Sequence, residues 1–118
     1  MFKILLFILV FVSTSYGKNL SCYRQTHYNH ATGVQKDYTR AESNMFPPFE
    51  FSVSPSVIYF DLPSGNKERF DFQKVVKGER LYFSQNNFYL RHNLKYKEVW
   101  YWDLKTNGEQ QTVILICQ

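Results

Sequence analysis

The feature that most constrains the fold is a pair of cysteines, Cys22 and Cys117, near the two ends of the chain. They are the only cysteines among 118 residues, so a single disulfide is available within the chain. A disulfide requires the two Cα atoms to lie within about 7 Å of each other. We therefore expect the first and last segments to be neighbours, as in a closed barrel or at a sandwich edge. The alternative is a reactive thiol, which is disfavoured because the apolar run 113–116 before Cys117 opposes a thiolate.

Residues 1–17 have the three-part layout of a cleavable signal peptide. Lys3 supplies the positive charge, residues 4–12 form the apolar run, and Ser15 and Gly17 are small residues before the cut. The run is shorter than the roughly 20 residues that cross a bilayer, and no later segment resembles a membrane span. A buried N-terminal strand or helix is the alternative. We expect residues 18–118 to form one secreted or periplasmic domain, whose oxidising compartment favours the disulfide.

An N-glycosylation triplet, Asn19-Leu20-Ser21, follows the expected cut. It matters only in a eukaryotic secretory path, and the sequence leaves bacterial and eukaryotic origin open.

Strand-like segments separated by turn residues dominate the rest of the chain. Aromatic residues make up 19% of it, and they suit the pleated, half-buried surface of a sheet. Residues 27–33 are polar and predict a loop, whereas residues 38–45 predict a helical turn or short helix. Asn107-Gly108 is the strongest hairpin signal, since both turn positions need positive φ. The predicted strands cover residues 20–26, 49–53, 57–62, 69–76, 80–84, 88–91, 98–104 and 112–117.

This pattern predicts an all-β domain, with one short helix at most. We expect a small antiparallel barrel or sandwich of about seven strands, with a meander in the C-terminal half.

The aromatic strand at residues 98–104 is the most interesting candidate for binding. Trp100 and Trp102 share one face of it, and Tyr101 lies on the other. One face must enter the core, and the other is a candidate dimer contact, sugar platform or ligand surface. Alternatively, both Trp side chains fill the core and Tyr101 covers the outside. Together with the basic residues just before the strand, the candidate binding residues are Arg91, Lys95, Lys97, Trp100, Tyr101 and Trp102.

Catalytic and metal-binding patterns are weak. The sequence has no G-x-S-x-G or H-E-x-x-H motif and no phosphate-cradling glycine loop. Glu98 and Asp103 fall on opposite faces of one strand, which argues against a catalytic carboxylate pair. His27 and His30, with His92 distant, lack the further ligands of a known metal site. We expect no enzyme, no metal and no cofactor.

The formal net charge of +4 is mild, and the basic residues are spread rather than clustered as in nucleic-acid binders. The sequence therefore favours a small non-catalytic binding protein that recognises a protein partner, as an inhibitor or accessory factor. The alternative is a binder of a small ligand, lipid or glycan that uses residues 98–104. The oligomeric state stays open.

Overall fold

The computed structural model describes residues 18–61 and 64–118, so the expected signal peptide at residues 1–17 lies outside the described residues. The regular secondary structure of the described chain is almost entirely strand, and its single helical segment is one turn long. The elements are β1 Lys18–Asn29, β2 Gln35–Asp37, α1 Arg40–Ser43, β3 Phe49–Val53, β4 Val57–Asp61, β5 Lys67–Val76, β6 Glu79–Phe83, β7 Tyr89–Asn93, β8 Val99–Thr106 and β9 Glu109–Cys117.

The strands form a closed antiparallel barrel. From β3 to β9 each strand pairs with the next along the chain, and β1 pairs with both β3 and β9. Eight strands therefore close the barrel, and β2 is an additional short strand paired with β1 at Thr26–Tyr28. This confirms the predicted small barrel and its C-terminal meander. The expected count of about seven strands agrees with the eight that close the barrel, and each of the strands predicted from the sequence overlaps one of them.

The disulfide lies at the seam where the barrel closes. Cys22 of β1 and Cys117 of β9 are direct cross-strand partners with Cα atoms 4.1 Å apart, and they are bonded to each other. Both are buried. Beside them, the Ser21 N–H donates to the Gln118 carbonyl at 3.2 Å, and the Gln118 N–H donates back at 3.0 Å. The two ends of the domain are thus joined by a covalent bond and by the sheet ladder, as the cysteine positions predicted.

Two-residue turns set the register of the hairpins. Val76 pairs with Glu79 across Lys77-Gly78, where φ is 50° and 78°. Thr106 and Glu109 pair across the predicted Asn107-Gly108 turn, with φ of 53° and 78°. Positive φ at both central positions matches the right-handed twist of the flanking strands.

Strand β1 is longer than the sequence pattern indicated. The expected loop at residues 27–33 was wrong for His27–Asn29, which continue the ladder with β9. The register shifts between Arg24 and Thr26, so Gln25 is an extra residue at a β-bulge. The bulge interrupts the alternation of side chains, and a strand read from alternation alone ends there.

Aromatic side chains fill the barrel interior. Phe60 lies near the centre, with its ring 4.5 Å from Phe51, 5.0 Å from Trp102 and 5.6 Å from Phe49, centroid to centroid. Ring pairs at such distances and tilts add to the area that they bury. The buried core is completed by Cys22, Ile58, Phe70, Tyr82, Leu90, Trp100, Val113, Leu115 and Cys117.

The segment before β3 packs against β1 between Cys22 and the bulge, where the Arg40 guanidinium lies 3.6 Å from the centroid of the Tyr23 ring. Thr39 and Glu42 form a reciprocal capping box at α1, with both hydrogen bonds 3.1 Å long. Ser43 then donates its hydroxyl to the carbonyl of Arg24 beside the bulge. The Arg24 guanidinium lies over aromatic rings, 4.6 Å from the centroid of Phe46 among others.

Candidate partner-binding face

The structure divides the six candidate binding residues among three places. Trp100 and Trp102 point into the barrel, where Trp100 is 1% exposed and Trp102 packs against the core. Tyr101 and Arg91 lie on the outside of β8 and β7, opposite each other in register. Lys95 and Lys97 lie in the exposed loop between these strands. The aromatic strand is therefore no single binding surface, and only Tyr101 among its aromatic residues is available at the outer wall.

Trp100 and Trp102 are held by aromatic packing rather than by polar contacts. Trp100 stacks on His92 with centroids 3.9 Å apart and planes 6° from parallel. The indole Nε1 of each Trp is buried and has no hydrogen-bond partner within residues 18–61 and 64–118. Their neighbours in the barrel are aromatic and aliphatic side chains. Both indoles thus serve as packing groups.

Tyr101 belongs to a wide apolar area on the outer wall of the barrel. Paired residues of an antiparallel sheet point to the same side, so the registers of β1 and β6–β9 identify the outward side chains. Eight of these are apolar, of which seven are half-buried and Tyr89 is exposed, whereas the other outward positions are mainly polar or charged. We call this area the apolar face, consisting of Tyr23, Leu81, Phe83, Tyr89, Val99, Tyr101, Ile114 and Ile116.

The wall built by β3–β5 has the opposite character. Its outward positions carry mainly charged and hydroxyl side chains, of which Arg69 and Asp71 form an ion pair at 3.1 Å. We call this the polar wall, with outward residues Glu50, Ser52, Val57, Tyr59, Asp61, Arg69 and Asp71. An antiparallel sheet with one solvated face normally alternates apolar-in and polar-out. The polar wall follows this rule and the apolar face departs from it.

A charged network centred on Arg91 lies within the apolar face. Arg91 Nε donates to Asp103 Oδ2 at 2.7 Å and Nη2 donates to Oδ1 at 3.1 Å, while Nη1 donates to Glu79 at 3.3 Å. The guanidinium carbon lies 4.5 Å from the centroid of Tyr101. Burial opposes the charge of Arg91, but the hydrogen bonds and charges of Asp103 and Glu79 outweigh it and raise its pKa. The charged side chains of this network, Arg91, Asp103 and Glu79, are therefore paired with one another.

The network continues into a threonine and a histidine. Thr112 Oγ1 donates to Asp103 Oδ1 at 2.6 Å, and His30 Nε2 lies 2.8 Å from the same hydroxyl. A hydroxyl has one proton, so His30 must donate to Thr112 and cannot act as its base. Thr112 is also buried. This arrangement of hydroxyl, imidazole and carboxylate orders the face, but it is not that of an activated nucleophile.

The other histidines point to different surroundings. His27 Nε2 contacts Gln111 Oε1 at 2.5 Å, and His92 contacts the carbonyl of Lys97 at 2.6 Å at the opposite end of the barrel. The three imidazoles therefore do not converge. Within residues 18–61 and 64–118, no group of three His, Cys, Asp or Glu side chains is arranged to hold a metal ion.

Sequence reasoning found Arg91 and Tyr101 but missed the rest of the apolar face. The available signal was the alternation in β9, where Ile114 and Ile116 stand between the buried Val113, Leu115 and Cys117. A strand that is apolar on both faces predicts that its outer face is covered or used.

Comparison with protein families, characterised proteins and solved structures found no match to this chain. In the described part of the chain, no helix is long and apolar enough to cross a membrane. The function is therefore inferred from the two walls of the barrel.

Proposed function

We propose that this chain is a small non-catalytic binding protein that recognises a protein partner through the apolar face. The observation that carries the proposal is the contrast between the apolar face and the polar wall of the same barrel. A large outward apolar area on a small domain commonly marks an interaction site. The partner is expected to present an uncharged, apolar surface to it.

The composition of the apolar face supports a protein as the partner. Protein interfaces are enriched in Tyr, Phe and Arg, and their centres are depleted of lysine. Arg91 and three tyrosines contribute to the face or its centre, and Lys105 beside the β8–β9 turn is the only lysine on β6–β9. Since Arg91 is already paired with Asp103 and Glu79, docking over it does not bury an unpaired guanidinium.

Two further expectations belong to this proposal. A secreted or periplasmic location is supported by the disulfide, because such bonds persist in oxidising compartments. The alternative function, a binder of small ligands through residues 98–104, is less well supported because Trp100 and Trp102 lie among core side chains. Catalysis finds no support in the arrangement around Thr112.

A matched pair of charge substitutions tests the proposal. Ile114→Lys places a charge on the apolar face, whereas Val57→Lys places the same charge at an outward aliphatic position of the polar wall. The immobilised proteins are used to capture partners from the fluid of the native compartment, and the captured protein is then purified for binding measurements. Ile114→Lys should weaken binding about 30-fold or more, as expected for a charge in an interface centre. Val57→Lys should leave it unchanged.

Two results would overturn the proposal. Equal weakening by both substitutions would show that the contact does not depend on the apolar face. Self-association of the pure protein that Ile114→Lys abolishes would make a second copy of the chain the occupant. Circular dichroism and the unfolding midpoint of each variant confirm that it is folded.

A further inference from the structure

Two loops protrude side by side at the barrel end that also carries the disulfide. One is the end of β5 together with the β5–β6 turn, residues 74–78, which extends beyond the last β4–β5 pair at Val57 and Asp71. The other is residues 94–97 of the β7–β8 loop, which are followed by the exposed Glu98 before β8 begins. The Leu94 N–H donates to the Gly78 carbonyl at 3.0 Å and joins them. We call residues 74–78 and 94–97 the basic tips.

Both loops have ordered conformations. In the second loop Asn93 Oδ1 accepts hydrogen bonds from the N–H groups of Lys95 and Tyr96 at 2.9 and 2.8 Å. The Val99 N–H then donates to the Tyr96 carbonyl at 2.9 Å. Side chains of the tips are thus presented on a fixed backbone, which lowers the entropic cost of binding.

The basic tips expose aliphatic and aromatic side chains to water. Val75 is 53% exposed, Val76 38%, Leu94 40% and Tyr96 53%. These four are among nine large hydrophobic residues that are exposed in the described part of the chain. Nearly half of that exposed apolar material is therefore concentrated on two adjoining loops.

Lysines alternate with these apolar side chains. Lys74, Lys77, Lys95 and Lys97 are exposed, and none of them has an ion-pair partner among the residues that the structure describes. Glu79, the acidic residue beside the first loop, is paired with Arg91. The four lysines outnumber the exposed Glu98 at the end of the second loop, so the tips present an excess of positive charge to an external anionic surface.

We propose that the basic tips dock this protein onto the surface of an anionic lipid bilayer. This site is separate from the apolar face and does not depend on the protein partner proposed above. Protruding loops fit a planar surface, and the long lysine stems allow the charge to stay at headgroup level while apolar neighbours go deeper. Tyrosine is enriched at that level of membranes.

The choice of a bilayer over an acidic protein rests on the lysines. Lysine is depleted from protein interfaces, whereas basic residues near an anionic leaflet each contribute about five-fold to binding. The alternation of lysine with Val, Leu and Tyr supplies both the electrostatic and the apolar parts of membrane-surface binding.

The test uses the purified, disulfide-bonded protein and sedimentation with vesicles. Vesicles of phosphatidylcholine mixed with phosphatidylglycerol are compared with vesicles of phosphatidylcholine alone. Lys77→Gln with Lys95→Gln should weaken binding to the anionic vesicles roughly 25-fold. Every variant has the same N-terminus, so any contribution of residues 1–17 is equal in all of them.

The matched control removes two charges at the opposite end of the barrel. Lys36→Gln with Lys105→Gln causes the same change in net charge, but Lys105 lies roughly 20 Å along β8 from the tips. That exceeds the Debye length of about 8 Å at physiological salt. The control should therefore bind like the unmodified protein.

A second pair of substitutions separates the apolar contribution. The double variant Leu94→Asn with Tyr96→Asn should still bind anionic vesicles at low salt and dissociate from them when salt is raised. Without the apolar side chains, only the attraction between lysines and lipid headgroups remains, and salt screens it. The proposal is overturned if the unmodified protein does not bind anionic vesicles. It is overturned as well if the tip and control variants lose vesicle binding equally. It is also overturned if the tip substitutions abolish capture of the protein partner and leave vesicle binding intact.

Discussion

Replacing Cys22 and Cys117 together with alanine should lower the free energy of unfolding by about 4–5 kcal/mol. The bridge joins residues that are 95 apart in sequence. For a loop of that length the chain-entropy relation gives about 4.7 kcal/mol at 25 °C. The destabilisation arises in the unfolded chain, which gains conformational freedom when the bridge is removed. The folded barrel keeps its seam, because the ladder between β1 and β9 continues on the Arg24 side of the bridge.

Urea unfolding followed by tryptophan fluorescence and circular dichroism measures this effect. The variant should unfold at lower urea and with a steeper denaturant dependence, because its unfolded chain is less compact and exposes more surface. Val113→Ala is the control, since Val113 is buried at the same β1–β9 seam. It should cost about 1–3 kcal/mol through lost packing without changing the slope. If the double-alanine variant loses less than about 1 kcal/mol of unfolding free energy and its slope is unchanged, the bridge does not stabilise the barrel by restricting the unfolded chain.

Three further predictions concern the face, the tip end and the core. Arg91→Met should lower the free energy of unfolding by about 1–3 kcal/mol. In a double-mutant cycle with Asp103→Asn, measured by urea unfolding, the double variant should lose less than the sum of the two single losses; additive losses would contradict the network. Burial chiefly lowers the pKa of His92 from 6.5, so stability should fall as pH drops through about 6.5, where the unfolded chain gains a proton first. His92→Phe should flatten that dependence, and an unchanged pH profile would exclude His92 as its source. Phe60→Ala should cost about 3–5 kcal/mol, against below about 1 kcal/mol for the exposed Tyr59→Ala; similar losses would argue against the assigned interior.

Most strands of the barrel could be predicted from the sequence, because side-chain alternation and turn residues are local features of the chain. Alternating side chains located β3 and β4, and the Asn107-Gly108 turn located the hairpin of β8 and β9. The two cysteines added the long-range constraint that the ends are neighbours. Together these features predicted a closed or edge-joined antiparallel sheet, and the structure confirms the barrel.

The parts that could not be predicted depend on non-local pairing. Strand β2 consists of three exposed residues, Gln35–Asp37, without alternation. It is a strand because its residues pair with Thr26–Tyr28 of β1. The bulge at Gln25 likewise shifts the alternation of side chains by one residue, so a pattern of period two does not extend into the second half of β1.

The candidate site was only partly predictable for a related reason. Trp100 and Trp102 were separated from Tyr101 by strand alternation alone, but alternation does not say which face is inside. The basic tips arise when residues 74–78 meet residues 94–97 across the β6–β7 pairing. The sequence shows two separate stretches with lysine, and the fold places them side by side.

Site-specific photo-crosslinking tests the partner-binding face most directly. A photoreactive phenylalanine analogue is introduced at Tyr101 of the apolar face or at Tyr59 of the polar wall, both of them outward tyrosines. In the native compartment, the probe at Tyr101 should give one crosslinked species of defined added mass, and the probe at Tyr59 should give none. Crosslinking from Tyr59 alone, or equally from both positions, would contradict the assignment of the apolar face as the site of partner recognition.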